Sequence, residues 1–349
     1  MVDYLIIGCG LAGIAFAETA LKSNKSVKVF DDNSQLSSRV AGGLYNPVIL
    51  KRFSGVWNAQ QQIDVLNSFY GGLEGRLNKR FNFKIPIYRK LSSAEEQNNW
   101  FQAADRADLS PFLAEKLVTA KYSGIYSPFH FGEVLQTGYV DTGALVSEYH
   151  AFLMSKEMLV QEAFDYGQLK LKQNLISYKD IKARHIVFAE GFGMLSNPYF
   201  GHLPLNGTKG EMLVINAPDL KLDAVVKTGI FIIPLGGGLY KAGATYNWHD
   251  KTNAPTDAGK QELIKGIRDV IGADFKITAH WAGIRPTVTD RRPLVGTHPS
   301  HSNMHLLNGL GSRGVMLAPS MAKDLFEHIE CQKPLDASID IRRFKKIKW

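Results

Sequence analysis

Tyr4-Leu5-Ile6-Ile7-Gly8-Cys9-Gly10-Leu11-Ala12-Gly13 is the stretch on which the fold turns. A short apolar run, too brief for a helix, leads straight into a G-x-G-x-x-G turn. The alanine-rich segment from about Leu11 to Lys22 reads as a helix, Ser23–Ser26 as a turn, and Val27–Asp31 as a second strand that ends on a carboxylate. Each glycine has its own task. Gly8 permits the tight turn, Gly10 lets backbone approach a pyrophosphate, and Gly13 lets the helix pack closely on the strand. The helix start then presents unpaired N–H groups and positive dipole to the phosphates. Asp31, 23 positions beyond Gly8, can accept hydrogen bonds from a ribose hydroxyl and would repel a 2′-phosphate, with Asp32 beside it. The unit is a Rossmann-type dinucleotide site, and Cys9 within it is expected to be a small packing residue.

The rest of the chain narrows the class. Its 349 residues carry 45% apolar and 21% charged residues, the balance of a globular protein of about two structural units. No apolar run reaches the roughly 18 residues of a membrane span. The apolar start carries Asp3 instead of a basic segment, so it is not read as a signal peptide. Two cysteines, Cys9 and Cys331, argue against a disulfide framework and for a reducing, cytoplasmic setting. The net charge of +8 is concentrated in Arg342, Arg343, Lys345, Lys346 and Lys348, read as a solvated tail, with an RNA-contacting patch as the alternative.

A helical pattern runs from about Val56 to Leu77, followed by a strand near Phe83–Arg89 and a helix over Ser93–Ala107. Ala183–Ala189 reads as a buried strand entering a turn at Glu190-Gly191. Short β-like runs at Glu211–Asn216, Gly229–Pro234, Leu239–Ala244 and Phe275–Trp281 predict an antiparallel sheet. A strand at His305–Leu307, a glycine-rich loop and a helix ending near Ile329 close the chain. Ala318, Ala322, Leu325 and Ile329 share the packed face of that helix.

The fingerprint alone does not separate flavin from nicotinamide; five further segments bear on the choice. Ser37-Ser38-Arg39-Val40-Ala41-Gly42-Gly43-Leu44, Ile186 to Gly191, and Ile233-Pro234 with Gly243-Ala244-Thr245 come first in order. Trp281-Ala282-Gly283-Ile284-Arg285-Pro286 with Asp290 and Pro293 to Gly296 follow, then Gly309-Leu310-Gly311-Ser312-Arg313-Gly314 with Ala318-Pro319. In this order, over nearly the whole chain, they resemble the glycine oxidase/D-amino-acid oxidase superfamily of FAD enzymes. The final glycine-rich loop also resembles the FAD domain of the bifunctional tRNA wobble-uridine modification enzyme, which removes a carboxymethyl group oxidatively.

The resemblance implies an α/β fold with an α+β second domain. A discontinuous FAD-binding domain (1–80, 136–205 and 286–349) would carry an inserted, mixed or antiparallel β-sheet substrate domain (81–135 and 206–285). It implies noncovalent FAD, because neither cysteine lies near Arg285, where some relatives attach the flavin. Cofactor contacts are expected from Gly8, Gly10, Leu11, Ala12, Gly13, Asp31 and Asp32, and from Arg39, Val40, Ala41, Gly42, Gly43 and Leu44. Ala189, Gly191, Gly309, Gly311, Ser312, Arg313 and Gly314 complete that set. Glu190 stands where the family usually has a small residue; it is expected to face solvent, with contact to the cofactor as the alternative.

At the reacting end, Arg285 is the candidate anchor for a substrate carboxylate, its guanidinium fork being suited to two parallel hydrogen bonds. The alternative is a structural pair with Asp290. Arg313 either faces substrate or supports its loop. Tyr246, with Tyr45 and Trp248, is a candidate for the pocket wall, although aromatics there more often pack. His298, His301 and His305 are spaced loosely for a metal and read as a solvated loop. The implied activity is oxidation of the C–N bond of a small amine or amino acid, with oxygen as acceptor. Carboxymethyl removal from tRNA uridine, or a dehydrogenase with another acceptor, are the alternatives, and a cofactor-bound binding protein is the non-catalytic one.

Overall fold

The computed structural model describes residues 1–119, 122, 124–172 and 175–347. Among them two large sheets carry the architecture. The strand Val2–Ile7 lies at the centre of an eight-stranded sheet, parallel to Val27–Phe30 on one side and Ile181–Phe188 on the other. Leu159–Val160 extends it beyond Val27–Phe30. The second half of Ile181–Phe188 pairs in parallel with His301–Asn308, which returns antiparallel to Leu294–His298. Strands far apart in sequence thus end at one edge, where open α/β sheets bind ligands.

Helix Leu11–Lys22 is buried over most of its length and packs with helix Gly314–Cys331 in the main core. The expected face of the last helix is present: Ala318, Ala322 and Leu325 are buried, with Ile329 packed beside them. Helix Ala59–Leu77 joins the same layer, and Tyr70 Oη donates to the Val315 carbonyl at 2.9 Å.

The second sheet has seven strands in the order Lys276–Arg285, Thr208–Asn216, Leu239–Gly243, Phe231–Gly236, Val225–Lys227, Ile87–Lys90 and Phe131–Val134. All neighbours are antiparallel except Val225–Lys227 with Ile87–Lys90, so the sheet is mixed. The single strand expected at Phe83–Arg89 is two. Asn82–Lys84 pairs with Gly138–Val140 in a small sheet, and Ile87–Lys90 belongs to the large one. The break falls at Pro86, which lacks the N–H a continuous strand would use.

Two other expectations change, for the histidines and for the basic tail. His298 and His305 are buried on the terminal hairpin instead of lying in a solvated loop. His305 is 3.0 Å from His185 and 2.9 Å from the Thr297 hydroxyl, so its polarity is used inside the sheet. Among the described residues no group of side chains could hold a metal ion, and no helix is long and apolar enough to cross a membrane. The basic tail is partly docked: Ile341 is fully buried, Arg342 pairs with Asp340 at 2.6 Å, and Arg343 pairs with Asp290 at 2.8 Å. Lys345 and Lys346 are exposed, and Lys348 lies outside the described residues.

The second sheet is tied to its helix by buried charge. Lys209 is 0% exposed, and its ammonium donates to Asp250 at 2.5 Å and to the Ala254 carbonyl, with Glu211 3.7 Å away. Glu211 accepts from His280 at 2.8 Å and from the Thr256 hydroxyl at 2.7 Å, while Thr256 caps helix Asp257–Arg268. Removing the Lys209 ammonium leaves the buried Glu211 carboxylate with His280 and Thr256 alone and takes the cation from the partly exposed Asp250. Lys209→Met is therefore expected to lower stability by about 3–5 kcal/mol, read as a shift in the denaturant midpoint. A loss below about 1 kcal/mol would remove the network from the account of the fold.

Candidate active site

One elongated cavity runs along the carboxyl edge of the first sheet and reaches the second. Its first section is built from backbone. Gly8 has φ +97°, and a Cβ there would collide with the Ala189 carbonyl. A Cβ on Gly13 would collide with the Gly8 carbonyl, so Gly13 sets helix packing and does not line the cavity. Asp31 takes the Cys9 N–H at 2.5 Å on one oxygen and the Asn33 N–H at 2.8 Å on the other. These bonds fix the carboxylate at the cavity wall and leave lone pairs for a further donor. The Ser38 hydroxyl accepts from the Leu11 N–H at 3.0 Å and joins the lining. Cys9 is buried beneath the turn, and burial raises its thiol pKa well above the ordinary value, as a packing residue requires.

The middle and far sections are lined by Val40 to Leu44, Met212, Phe231, Ala244 and Tyr246, and by Gly311, Ser312, Gly314 and Val315 at the start of the last helix. Gly210 and Gly283, from adjacent strands of the second sheet, line it as bare backbone. These donors suit a flavin dinucleotide. Carboxylates face one end, glycine amides and a helix N-terminus face the centre, and an apolar slot with a cation closes the other end.

That cation is Arg285, the last residue of the strand Lys276–Arg285. Its guanidinium packs over Gly210, where any Cβ would displace it, and lies 4.4 Å from the Tyr246 ring centroid. Nη1 donates to the Lys209 carbonyl at 3.4 Å, and both Nη atoms donate to the Thr245 carbonyl at 3.3 Å. Among the described residues no carboxylate pairs with it; Asp290, the alternative structural partner, is bonded to Arg343. Burial lowers the Arg285 pKa, while Tyr246 acts in the opposite direction. A half-buried cation held by long bonds to carbonyls keeps donor capacity that an anion could use.

Of the remaining candidates, Gly8, Gly10, Leu11, Ala12, Asp32, Ala189 and Gly191 line the cavity. Arg39 does not: its Nη2 donates to Asn33 at 2.6 Å and lies 3.3 Å from His150, behind the turn. Gly309 is also outside the lining, where φ +71° and Val288 leave no room for a side chain. Arg313 lies beside the cavity, half-buried, within electrostatic range of Arg291, Arg292 and Tyr246. Its side chain has no hydrogen bond or ion pair among the described residues. Tyr246 is 60% exposed at the mouth, Tyr45 is buried with its hydroxyl donating to Asn82 at 3.2 Å, and Trp248 is outside the lining.

Sequence reading missed Met212, Phe231, Asn308, Phe164 and Tyr166, which also face the cavity. Strand periodicity places alternate residues of 208–216 and 231–236 on one face, but does not say what that face meets. The expectation that Glu190 faces solvent is corrected. Its carboxyl is buried at the cavity wall, accepting from Tyr166 Oη and from Asn197 Nδ2 at 2.7 Å.

A family model described as FAD dependent oxidoreductase matches residues 3–328. The chain is 24% identical over 342 residues to glycine oxidase of Bacillus subtilis (strain 168), covering 91% of this chain and 90% of that protein. It is 21% identical to the tRNA 5-methylaminomethyl-2-thiouridine biosynthesis bifunctional protein of Haemophilus ducreyi, covering 97% of this chain and 57% of the relative. The structure of glycine oxidase from Geobacillus kaustophilus superposes with a TM-score of 0.76 at 18% identity, over 97% of both chains. With the dinucleotide cavity and these matches together, the chain belongs to the FAD-dependent oxidoreductase family, and FAD is its cofactor.

Proposed function

We propose that the chain oxidises the C–N bond of a small amine or amino acid, with Arg285 anchoring the substrate carboxylate. The observation that carries this reading is the half-buried Arg285 guanidinium at the apolar end of the cavity, with no carboxylate paired to it among the described residues. FAD, when bound, supplies at N5 the acceptor for a hydride from the carbon beside the nitrogen, which leaves as an imine after losing a proton. The protein's part is orientation. Arg285 fixes the carboxylate by a planar fork, and the Tyr246 ring against its face restrains that fork. Phe231 and Met212 keep the slot apolar, and the start of the last helix at Gly314 would supply positive potential to a reduced flavin ring held beside it. Noncovalent retention is supported by the cysteines, neither of which lines the cavity. Similarity to glycine oxidases favours oxygen as the acceptor.

Anaerobic bleaching of the flavin by glycine, sarcosine, D-amino acids and proline tests the proposal, with peroxide release in air reporting the acceptor. Bleaching by a free amino acid is expected. Arg285→Ala should lower kcat/KM by about 10²–10³-fold, the worth of two charge-assisted hydrogen bonds, and Arg285→Lys should fall between. An unaffected Arg285→Ala would remove the anchor. Flavin that no free amine bleaches would remove the small-substrate reading.

A second reading, oxidation of a carboxymethylaminomethyl group on tRNA, is favoured by one feature of the mouth. Arg291, Arg292 and Arg313 stand close to one another beside the exposed Tyr246, and the Arg292 guanidinium lies 4.9 Å from the Trp57 ring. On this reading tRNA binding falls steeply with salt, and Arg291→Glu with Arg292→Glu weakens it and flattens that slope, in a filter-binding titration. Binding that is absent at low salt would dismiss it.

A further inference from the structure

We propose that Glu190 is a cofactor-contacting acid that meets the dinucleotide in its neutral form, so that FAD binding to this chain takes up a proton. The residue follows the Ile181–Phe188 strand by two positions and caps the 191–196 turn, with its Cα 3.3 Å from where a Cβ on Gly8 would stand. It therefore lies beside the turn whose amides face the pyrophosphate, and its side chain lines the same cavity. Both carboxyl oxygens are already reached by donors. Tyr166 Oη donates to Oε1, and Asn197 Nδ2 donates to Oε2 at 2.7 Å. Asn197 is itself fixed, its Oδ1 accepting from the N–H groups of Tyr199 at 2.8 Å and Phe200 at 3.2 Å. A neutral acid in this setting keeps both incoming bonds and has one O–H left to give. The cavity, where a dinucleotide brings acceptor oxygens, is the open direction.

The electrostatic surroundings favour that form. The end of Val27–Phe30 contributes Asp31 and Asp32, and the 162–166 segment contributes Glu162 and Tyr166. Beneath the Gly8 turn lies the neutral Cys9 thiol; the 191–197 turn contributes Ser196 and Asn197, and the His301–Asn308 strand contributes Asn308, none of them charged. Arg39 and His150 are engaged behind the turn, and Arg313 is outside the cavity lining. Among the described residues no cation pairs with Glu190. Burial lifts its pKa to about 7, even though the bonds from Tyr166 and Asn197 pull it down. An anionic pyrophosphate alongside pushes in the same direction as burial.

The sign follows from linkage. Between the pKa of the free protein, near 7, and the higher value of the complex, the complex holds more protons than its parts. Affinity for FAD is then flat below about pH 6 and falls as pH rises through and above 7.

The test is the Kd of FAD for the flavin-stripped full chain from pH 6 to 9, by quenching of flavin fluorescence. Calorimetry in two buffers of different ionisation heat would count the protons. Wild type is expected to bind about tenfold more weakly at pH 8.5 than at pH 6.5, the effect of a one-unit shift, with proton uptake at pH 8. Glu190→Gln should bind nearly independently of pH, and at pH 8.5 at least as tightly as wild type. Tyr166→Phe removes a bond that favours the carboxylate, so its fall should move to higher pH. Asp31 and Asp32 are unchanged in both variants, so a slope due to them would persist. Parallel profiles for wild type and Glu190→Gln would overturn the proposal. So would affinity that rises with pH and is lost in Glu190→Gln, the pattern of an ionised acceptor for a ribose hydroxyl. If Glu190→Gln fails to fold, the wild-type proton count and the Tyr166→Phe shift decide.

Discussion

The contact on which everything else rests is backbone against backbone at Gly8. Three segments meet there: the end of Val2–Ile7, the end of Ile181–Phe188 through Ala189, and the start of helix Leu11–Lys22 through Gly13. A single methyl group at Gly8 or Gly13 would occupy space already held by a carbonyl oxygen. The close approach lets the helix begin at the sheet edge, with its free N–H groups directed along the cavity. It also places Asp31 within reach of the Cys9 N–H, so the carboxylate and the glycine turn are fixed by one another.

The second sheet answers that edge with charge of the opposite sign, and it does so selectively. Lys209 and Arg285 belong to paired strands, with Lys209 opposite Ile284 and one residue from Arg285 in register. Lys209 is neutralised within the protein by Asp250 and Glu211. Arg285 is given only carbonyls and an aromatic face, while the nearby Asp290 is committed to Arg343. Burying a cation without its counterion costs stability unless something offsets it. The carbonyls of Thr245 and Lys209 offset part, and an anionic substrate would offset the remainder.

Much of this was legible from the chain. The turn at Gly8–Gly13, Asp31 as the end of the next strand, and the buried face of the last helix follow from local pattern, because local sterics alone determine them. The failures have physical causes as well. Pro86 divides one apolar run between two sheets. His298 and His305 sit among turn-forming residues that suggested solvent, yet their ring nitrogens find partners inside a hairpin. Arg39 lies in a cofactor-like segment, but the short helix Ser37–Val40 turns it toward Asn33 and His150. Glu190 looked exposed because a carboxylate in a turn usually is; its donors, Tyr166 and Asn197, are 24 and 7 residues away.

The two ends of the cavity differ in how they are built, and that difference explains what sequence can disclose. The dinucleotide end is backbone: Gly8, Gly13 and Gly43 cannot take a side chain without meeting a carbonyl, so the cofactor is written as a motif. The reacting end is side chains. Met212, Phe231, Tyr246 and Arg285 come from separate strands and loops of a sheet whose pairing would tolerate other residues at those positions. Antiparallel pairing requires alternation and volume, not identity, so the chemistry at the slot can vary while the fold stays the same. Arg285 is informative because it breaks this tolerance, being a charge where packing alone would select an apolar residue.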